Sequence, residues 1–256
     1  MNRVMRPLGL LLAVGFFGFC RAAAAQGTDE FGSYGTRSEP GSHESPQNAA
    51  VELRFGRYVP RVDSSVSGTP YKDTFGDSSR YMFGVEVDWQ VLRIPHFGSF
   101  GPGLGWGYTR STAFAPLTSN PKIRSGEVTA LSVMPFYLVG VLRADFLARD
   151  FNIPFVPYAK LGLGYAYWWS SEAGINSRQD GVLGRGVSYG PQYALGGMLL
   201  LDFFDQQTAR DADNSIGLNN SYLFGEWYGS ELDAFGSKNR LNVGANTWVL
   251  GLAMEF

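Results

Sequence analysis

The sequence predicts an all-β protein, an eight-stranded antiparallel transmembrane β-barrel, with ten strands as the alternative. Three observations carry this expectation. The charged fraction is 17%, against roughly 25% in ordinary soluble chains, while aromatics reach 15% and glycine 33 of 256 residues. Most of the chain reads as runs of about 8–16 residues that alternate at period two, separated by turn-rich pieces. The connections between runs alternate between long and short, as they do in transmembrane barrels, with the sixth, at 204–220, breaking the rule by being long. Composition also excludes several classes. A net charge of −2 gives no electrostatic footprint for nucleic acid. One cysteine, Cys20, makes neither an intrachain disulfide nor a thiolate metal site.

The first element is a targeting signal over residues 1–25. Arg3 and Arg6 precede an apolar stretch from Leu8 to Cys20, and Ala23 and Ala25 place cleavage after Ala25. The stretch is shorter than the ~20 residues of a comfortable membrane helix. Residues 26–50, rich in Gly, Ser, Glu and Pro, read as a flexible tail with little to bury. The barrel then occupies 51–256.

In VELRF at 51–55, Val51, Leu53 and Phe55 oppose Glu52 and Arg54. In FGVEVDWQV at 83–91, five apolar residues from Phe83 to Val91 oppose Glu86, Asp88 and Gln90. FGPGLGWGY at 100–108 sets Leu104, Trp106 and Tyr108 against Gly101, Gly103, Gly105 and Gly107. Residues 128–147 are apolar on both faces, so period alone does not orient them. YAKLGLGYAYWW at 158–169 sets Leu161, Leu163, Tyr165 and Tyr167 against Lys160, Gly162, Gly164 and Ala166. The remaining strands are expected near 189–203, 221–232 and 246–256. Pairing by 71–82 or 181–188 would raise the count to ten. Long loops are expected at 64–81, 115–126, 170–188, 204–220 and 233–245. The polar piece 205–217 is the one stretch with some helical character.

One face of these strands is bulky and apolar, and the other carries glycine, alanine and isolated charges. An eight-stranded barrel has a lumen just wide enough for side chains, so the bulky face belongs outside, against lipid. Tyr58, Tyr81, Tyr108, Trp168, Trp169, Tyr189, Tyr222, Trp227 and Tyr228 fall near strand ends, where interfacial aromatic girdles sit.

The last strand, NTWVLGLAMEF, ends in Phe256 with Gly251 five residues back and Met254 between. This resembles the C-terminal recognition signal of bacterial outer-membrane barrels, although Val249 stands where that signal usually has a polar residue. The resemblance implies insertion by the barrel-assembly machinery. Deleting Phe256 is therefore expected to reduce the inserted yield far more than Val51→Ala, although each removes one outward apolar side chain. Equal inserted yields from membrane fractionation would make the resemblance accidental. Over 51–256 the chain also resembles a myxobacterial family of outer-membrane β-barrel proteins, close to small OmpA/OmpX-type barrels. VELRFGRYVPRVDS, GVEVDWQVLRIPHFGS, YLVGVLRADFLAR and VPYAKLGLGYAYWWSS carry that likeness. It implies location and fold, with no established activity.

Signals for enzymatic chemistry are sparse. The glycines at 101–107 sit at period two inside a strand, whereas a dinucleotide loop opens a helix. His43 lies in the tail and His96 in a short turn, so neither serves as a base at the outer leaflet. A carboxylate-only site at Asp73, Asp77, Glu172, Asp180 or Glu231 is outweighed by a solvated, cation-attracting surface. No cofactor or metal is expected, and no enzyme activity. The informative residues are the charges on lumen-facing sets: Glu52, Arg54, Glu86, Asp88, Lys160, Glu226 and Glu255. Unpaired charge at membrane depth is expensive, so these are expected to pair across the barrel, with Arg54 at the centre. Arg143, Asp145, Arg149 and Asp150 read as an interfacial anchor. The expected role is a non-enzymatic outer-membrane protein with long extracellular loops and a charge-plugged lumen. A narrow porin-like channel is the alternative, and a barrel-scaffolded lipid hydrolase comes third. Outer-membrane lipids are the expected partners, with no nucleic acid and no specified surface ligand.

Overall fold

The computed structural model describes residues 49–76, 80–117, 120–179, 181–203, 217–237 and 240–256. The signal peptide, residues 26–48 of the tail with His43, and the piece at 204–216 lie outside the described residues. Asp77 and Asp180 do as well.

Eight strands close a ring: β1 (Ala49–Arg57), β2 (Tyr81–Trp89), β4 (Gly98–Leu117), β5 (Asn120–Arg143), β6 (Phe155–Glu172), β10 (Arg185–Leu200), β11 (Asn220–Ser230) and β12 (Asn246–Glu255). Every neighbour is antiparallel, and β6 pairs with β10 from Trp169↔Arg185 to Phe155↔Leu199 to shut the barrel. The last strand closes on the first, with Ala50 opposite Glu255 and Gly56 opposite Val249. Closure leaves no open edge. The ten-strand alternative fails for a local reason. Residues 70–75 form the short helix α1 (Pro70–Phe75), because Pro70 suits a first helical turn. Val182–Leu183 (β9) pairs only with Arg178–Gln179 (β8), in a side ribbon. Two further short strands, β3 (Leu92–Ile94) and β7 (Ile175–Asn176), hang on β4 and β6.

Side-chain parity follows the sequence pattern. On β2, Met82, Gly84, Glu86 and Asp88 are buried while Tyr81, Phe83 and Trp89 are exposed. The outward face is strongly apolar: Leu161 is 69% exposed, Leu250 62% and Trp248 69%. Such a belt is the wrong way round for water and fits hydrocarbon. The strand that period could not orient, β5, turns Val133, Tyr137, Val139, Val141 and Arg143 inward and Phe136 and Leu138 outward. Gly105 is what admits Tyr137 to the lumen, since a Cβ there would lie 2.0 Å from its Cζ.

Several expectations change here. Ala49 and Ala50, expected at the end of the tail, belong to β1. The connection expected at 115–126 is mostly a continued ribbon, β4 running to Leu117 and β5 from Asn120. The turn near 149–155 includes a helix, α2 (Phe146–Phe151), closed by Asn152 in the left-handed region. Four girdle aromatics are not girdle residues: Tyr58, Tyr222 and Tyr228 are buried inside, and Trp168 shares the inward parity of Ala166. Position near a strand end does not reveal side; parity does.

Residues 231–237 and 240–245 fold back over one mouth. Leu232 and Val243 are fully buried with Tyr58, and the Tyr58 hydroxyl donates to the Val243 carbonyl at 2.7 Å. Asn242 reaches Ser64 Oγ and Glu231 Oε2, each at 3.3 Å, and Arg61 also pairs with Glu231. The β1–β2 loop is held from the other side, where Tyr71 shares a hydrogen bond with Ser111 at 2.8 Å. Burial raises the Tyr71 phenol above its ordinary pKa.

Candidate functional site

The barrel interior is divided in two. Toward the loop-covered mouth it is apolar, with Tyr58, Met82, Val133, Tyr228 and Val249 packed around Leu232 and Val243. Toward the end where β1 begins and β12 finishes it is charged. The division follows from the register. Met82, Gly56 and Val249 share one row at the loop end of β1, and Glu52, Glu86 and Ala253 share another two steps below.

All seven charges expected in the lumen are there, each no more than 4% exposed. Arg54 is the hub. Its Nη1 donates to Glu52 at 3.0 Å and to Glu86, and its Nη2 donates to Glu226. The guanidinium carbon also lies 5.7 Å from the Tyr137 ring centre and 5.8 Å from that of Phe224. Lys160 reaches from β6, on the opposite side of the ring, to Glu52 and Glu86, both at 2.7 Å. Glu86 further accepts from the Tyr137 hydroxyl, and Glu226 from that of Tyr158, each at 2.8 Å.

A second hub was missed at the sequence level. Arg143, expected as an interfacial anchor, is 3% exposed and inside the barrel. It binds Asp88 at 2.6 Å, Glu255 at 2.8 Å and Glu52 at 3.3 Å. Glu255 also accepts from Gln90 at 2.6 Å, Tyr222 at 2.9 Å and Asn220 at 3.1 Å. The missing cue was charge balance, for five acids against Arg54 and Lys160 called for a further cation in the lumen. The other members of the expected anchor stay outside. Asp145 pairs with Arg93 at 2.7 Å and Arg149 at 3.2 Å. Its carboxyl is held above the ordinary range by burial, which the two arginines partly offset.

Among the described residues, three carboxylates converge at Glu52, Glu86 and Asp88, with oxygens within 4.8 Å of one another. The Lys160 ammonium already bridges two of them, so the place of a cation is taken by the chain itself. A cavity of about 20 Å³ at the charged mouth, bounded by Gln90, Ser99, Arg143 and Glu255, has room for about one water. Of the loop acids, Glu231 is consumed by Arg61 and Asn242, and Asp73 accepts from Thr69 at 3.2 Å. They do not form a joint site with Glu172, which stands exposed at the end of β6.

The residues of the C-terminal signal have structural duties too. A Cβ at Gly251 would lie 2.0 Å from the Leu53 carbonyl and 2.5 Å from the Phe224 ring, so only glycine lets Phe224 cover Arg54. Met254 lies opposite Val51. Phe256 exchanges backbone hydrogen bonds with Ala49 at 2.9 and 3.2 Å.

No protein-family model and no curated protein matches this chain. Solved structures with a similar architecture include Ail, the attachment invasion locus protein of Yersinia pestis. It is 14% identical at a TM-score of 0.42, covering 83% of this chain and 99% of that one. Neisserial surface protein A is 11% identical at 0.44, covering 83% and 98%. The N-terminal barrel domain of Pseudomonas aeruginosa OprF is 11% identical at 0.38, covering 83% and 100%. Each likeness is one of barrel architecture.

Proposed function

We propose that this chain is a non-enzymatic outer-membrane β-barrel protein that presents braced loops at the cell surface and conducts no ions. The observation that carries the reading is the interior. Three cations and five carboxylates form one connected lattice across the charged half, and Leu232 and Val243 occupy the other half. An ion crossing would have to break buried pairs and then pass a dry aromatic layer. The lipid-facing belt and the ring closed by β6 and β10 support the location. The exported start over residues 1–25, the C-terminal signal, the barrel-assembly machinery as partner and the myxobacterial resemblance belong to the same reading.

The porin-like alternative predicts something different. The purified barrel in planar lipid bilayers is expected to give no unitary current steps. Reproducible steps that disappear when the protein is boiled first would replace the plug with a channel. The lipid-hydrolase reading needs a nucleophile and a base at the outer rim. Unchanged lipopolysaccharide mass after expression is the expected result there.

A further inference from the structure

Among the exposed arginines, three on the barrel wall and Arg178 on the side ribbon stand apart from the hydrogen bonds and ion pairs described above. Arg57, Arg110 and Arg185 are exposed, and none has a side-chain ion pair or hydrogen bond with another described residue. Arg54, Arg61, Arg93 and Arg143, by contrast, all hold carboxylates. The three also share a register row. Arg57 pairs with Tyr81. Thr109 pairs with Met82, which sets Arg110 beside Tyr81 on the other side. Arg110 pairs with Ser132, Ser132 with Trp169, and Trp169 with Arg185. All six positions have outward parity. The row climbs obliquely, because barrel strands tilt by about 40°, so Arg185 stands farthest out.

Arg57 and Arg110 sit where the apolar belt ends. Below Arg57 on the same face are Phe55 and Leu53, and below Arg110 are Tyr108, Trp106 and Leu104. From Ala49 to Arg57, 9 residues at ~3.3 Å each and that tilt rise ~20 Å, close to the apolar height of a barrel of this kind. Between the two arginines Tyr81 is 59% exposed and stacks on Phe55 with ring centres 5.3 Å apart. Two strand spacings separate the arginines, about 10 Å, and each offers a planar fork that matches a phosphate.

We infer that this row binds the phosphorylated headgroup of an outer-leaflet glycolipid. Arg57 and Arg110 take its phosphates, Tyr81 offers a face to the sugar between them, and the acyl chains lie along Phe55 and Tyr108. The inference rests on the outer-membrane reading and names a partner for it. A free anion would use the arginines alone, whereas the belt directly below them commits the site to a lipid.

The test measures lipid retained per folded barrel by native mass spectrometry in detergent, with bisphosphorylated lipid A as the probe. Heat-modifiable gel mobility confirms folding in every sample. The double variant Arg57→Gln with Arg110→Gln is expected to retain about tenfold less lipid A than the parent. Lipid A stripped of its phosphates should be retained by the parent as poorly. Arg240→Gln removes a cation that donates to the Val187 carbonyl and lies off the row, so it should retain the parent's amount. Equal retention by the double variant, or by the parent with stripped lipid, overturns the proposal. Complete displacement by millimolar inorganic phosphate does so too, since the site would then be one for a small anion. A parent protein without heat-modifiable mobility would instead remove the membrane reading, and the proposal with it.

Discussion

Replacing Arg54 with Met is expected to lower barrel stability by about 3–5 kcal/mol, the usual order for removing one partner of a buried pair. The cost falls unevenly on its three acids. Glu52 keeps Lys160 and Arg143, and Glu86 keeps Lys160 and the Tyr137 hydroxyl. Glu226 keeps the Tyr158 hydroxyl, with Lys160 at 3.9 Å. Adding Glu226→Gln should therefore recover about 1–3 kcal/mol, a typical coupling for contacting residues. Adding Glu86→Gln should recover less, because it also takes an acceptor from Lys160. Urea unfolding midpoints in detergent or lipid vesicles measure both. An unchanged midpoint for Arg54→Met would mean that the acids are independently hydrated in an open water column. The channel reading would then displace the plug.

A loss of similar size, about 3–5 kcal/mol, is expected for Arg143→Met, and it separates two roles for that residue. An arginine snorkelling at an interface contributes below about 1 kcal/mol, as exposed pairs do. In the lumen its loss strips Asp88 of its ion-pair partner, while Glu255 retains Gln90, Tyr222 and Asn220. Asp88→Asn in the same chain should then restore part of the stability, and Glu255→Gln should restore less. Unfolding of the single and double variants decides it. A loss under ~1 kcal/mol for Arg143→Met would return the residue to the rim.

These two expectations differ in origin. Arg54 was legible as a centre because it alternates with Leu53 and Phe55 on a strand with one apolar face, and its neighbours Glu52 and Glu86 alternate likewise. Period-two patterning places such residues without any knowledge of neighbours, since a strand has only two sides. The C-terminal strand was legible for the same reason, with Trp248, Leu250 and Leu252 facing one way and Glu255 the other. Arg143 was not legible. Its strand is apolar on both faces, and only the pairing of Ser99 with Arg143 and of Val141 with Lys160 fixes which face turns in.

The sequence by itself determined most of the strands, which face of each strand other than β5 turns outward, and therefore a closed sheet that turns its bulk to the outside. A narrow lumen cannot hold the bulky sets of every strand, so the faces of glycine, alanine and isolated charges turn in, and the room those glycines leave is taken by single large side chains such as Tyr137. What only the tertiary structure decided is who meets whom across that lumen. Lys160 reaches Glu52 and Glu86 from the far side of the ring, Arg143 reaches Glu255, and Tyr58 meets Val243 from a loop much later in the chain. Those meetings depend on the stagger accumulated over eight pairings and on where a loop folds back. Neither leaves a local mark, because local alternation records a residue's side of the sheet but not its height or its opposite number.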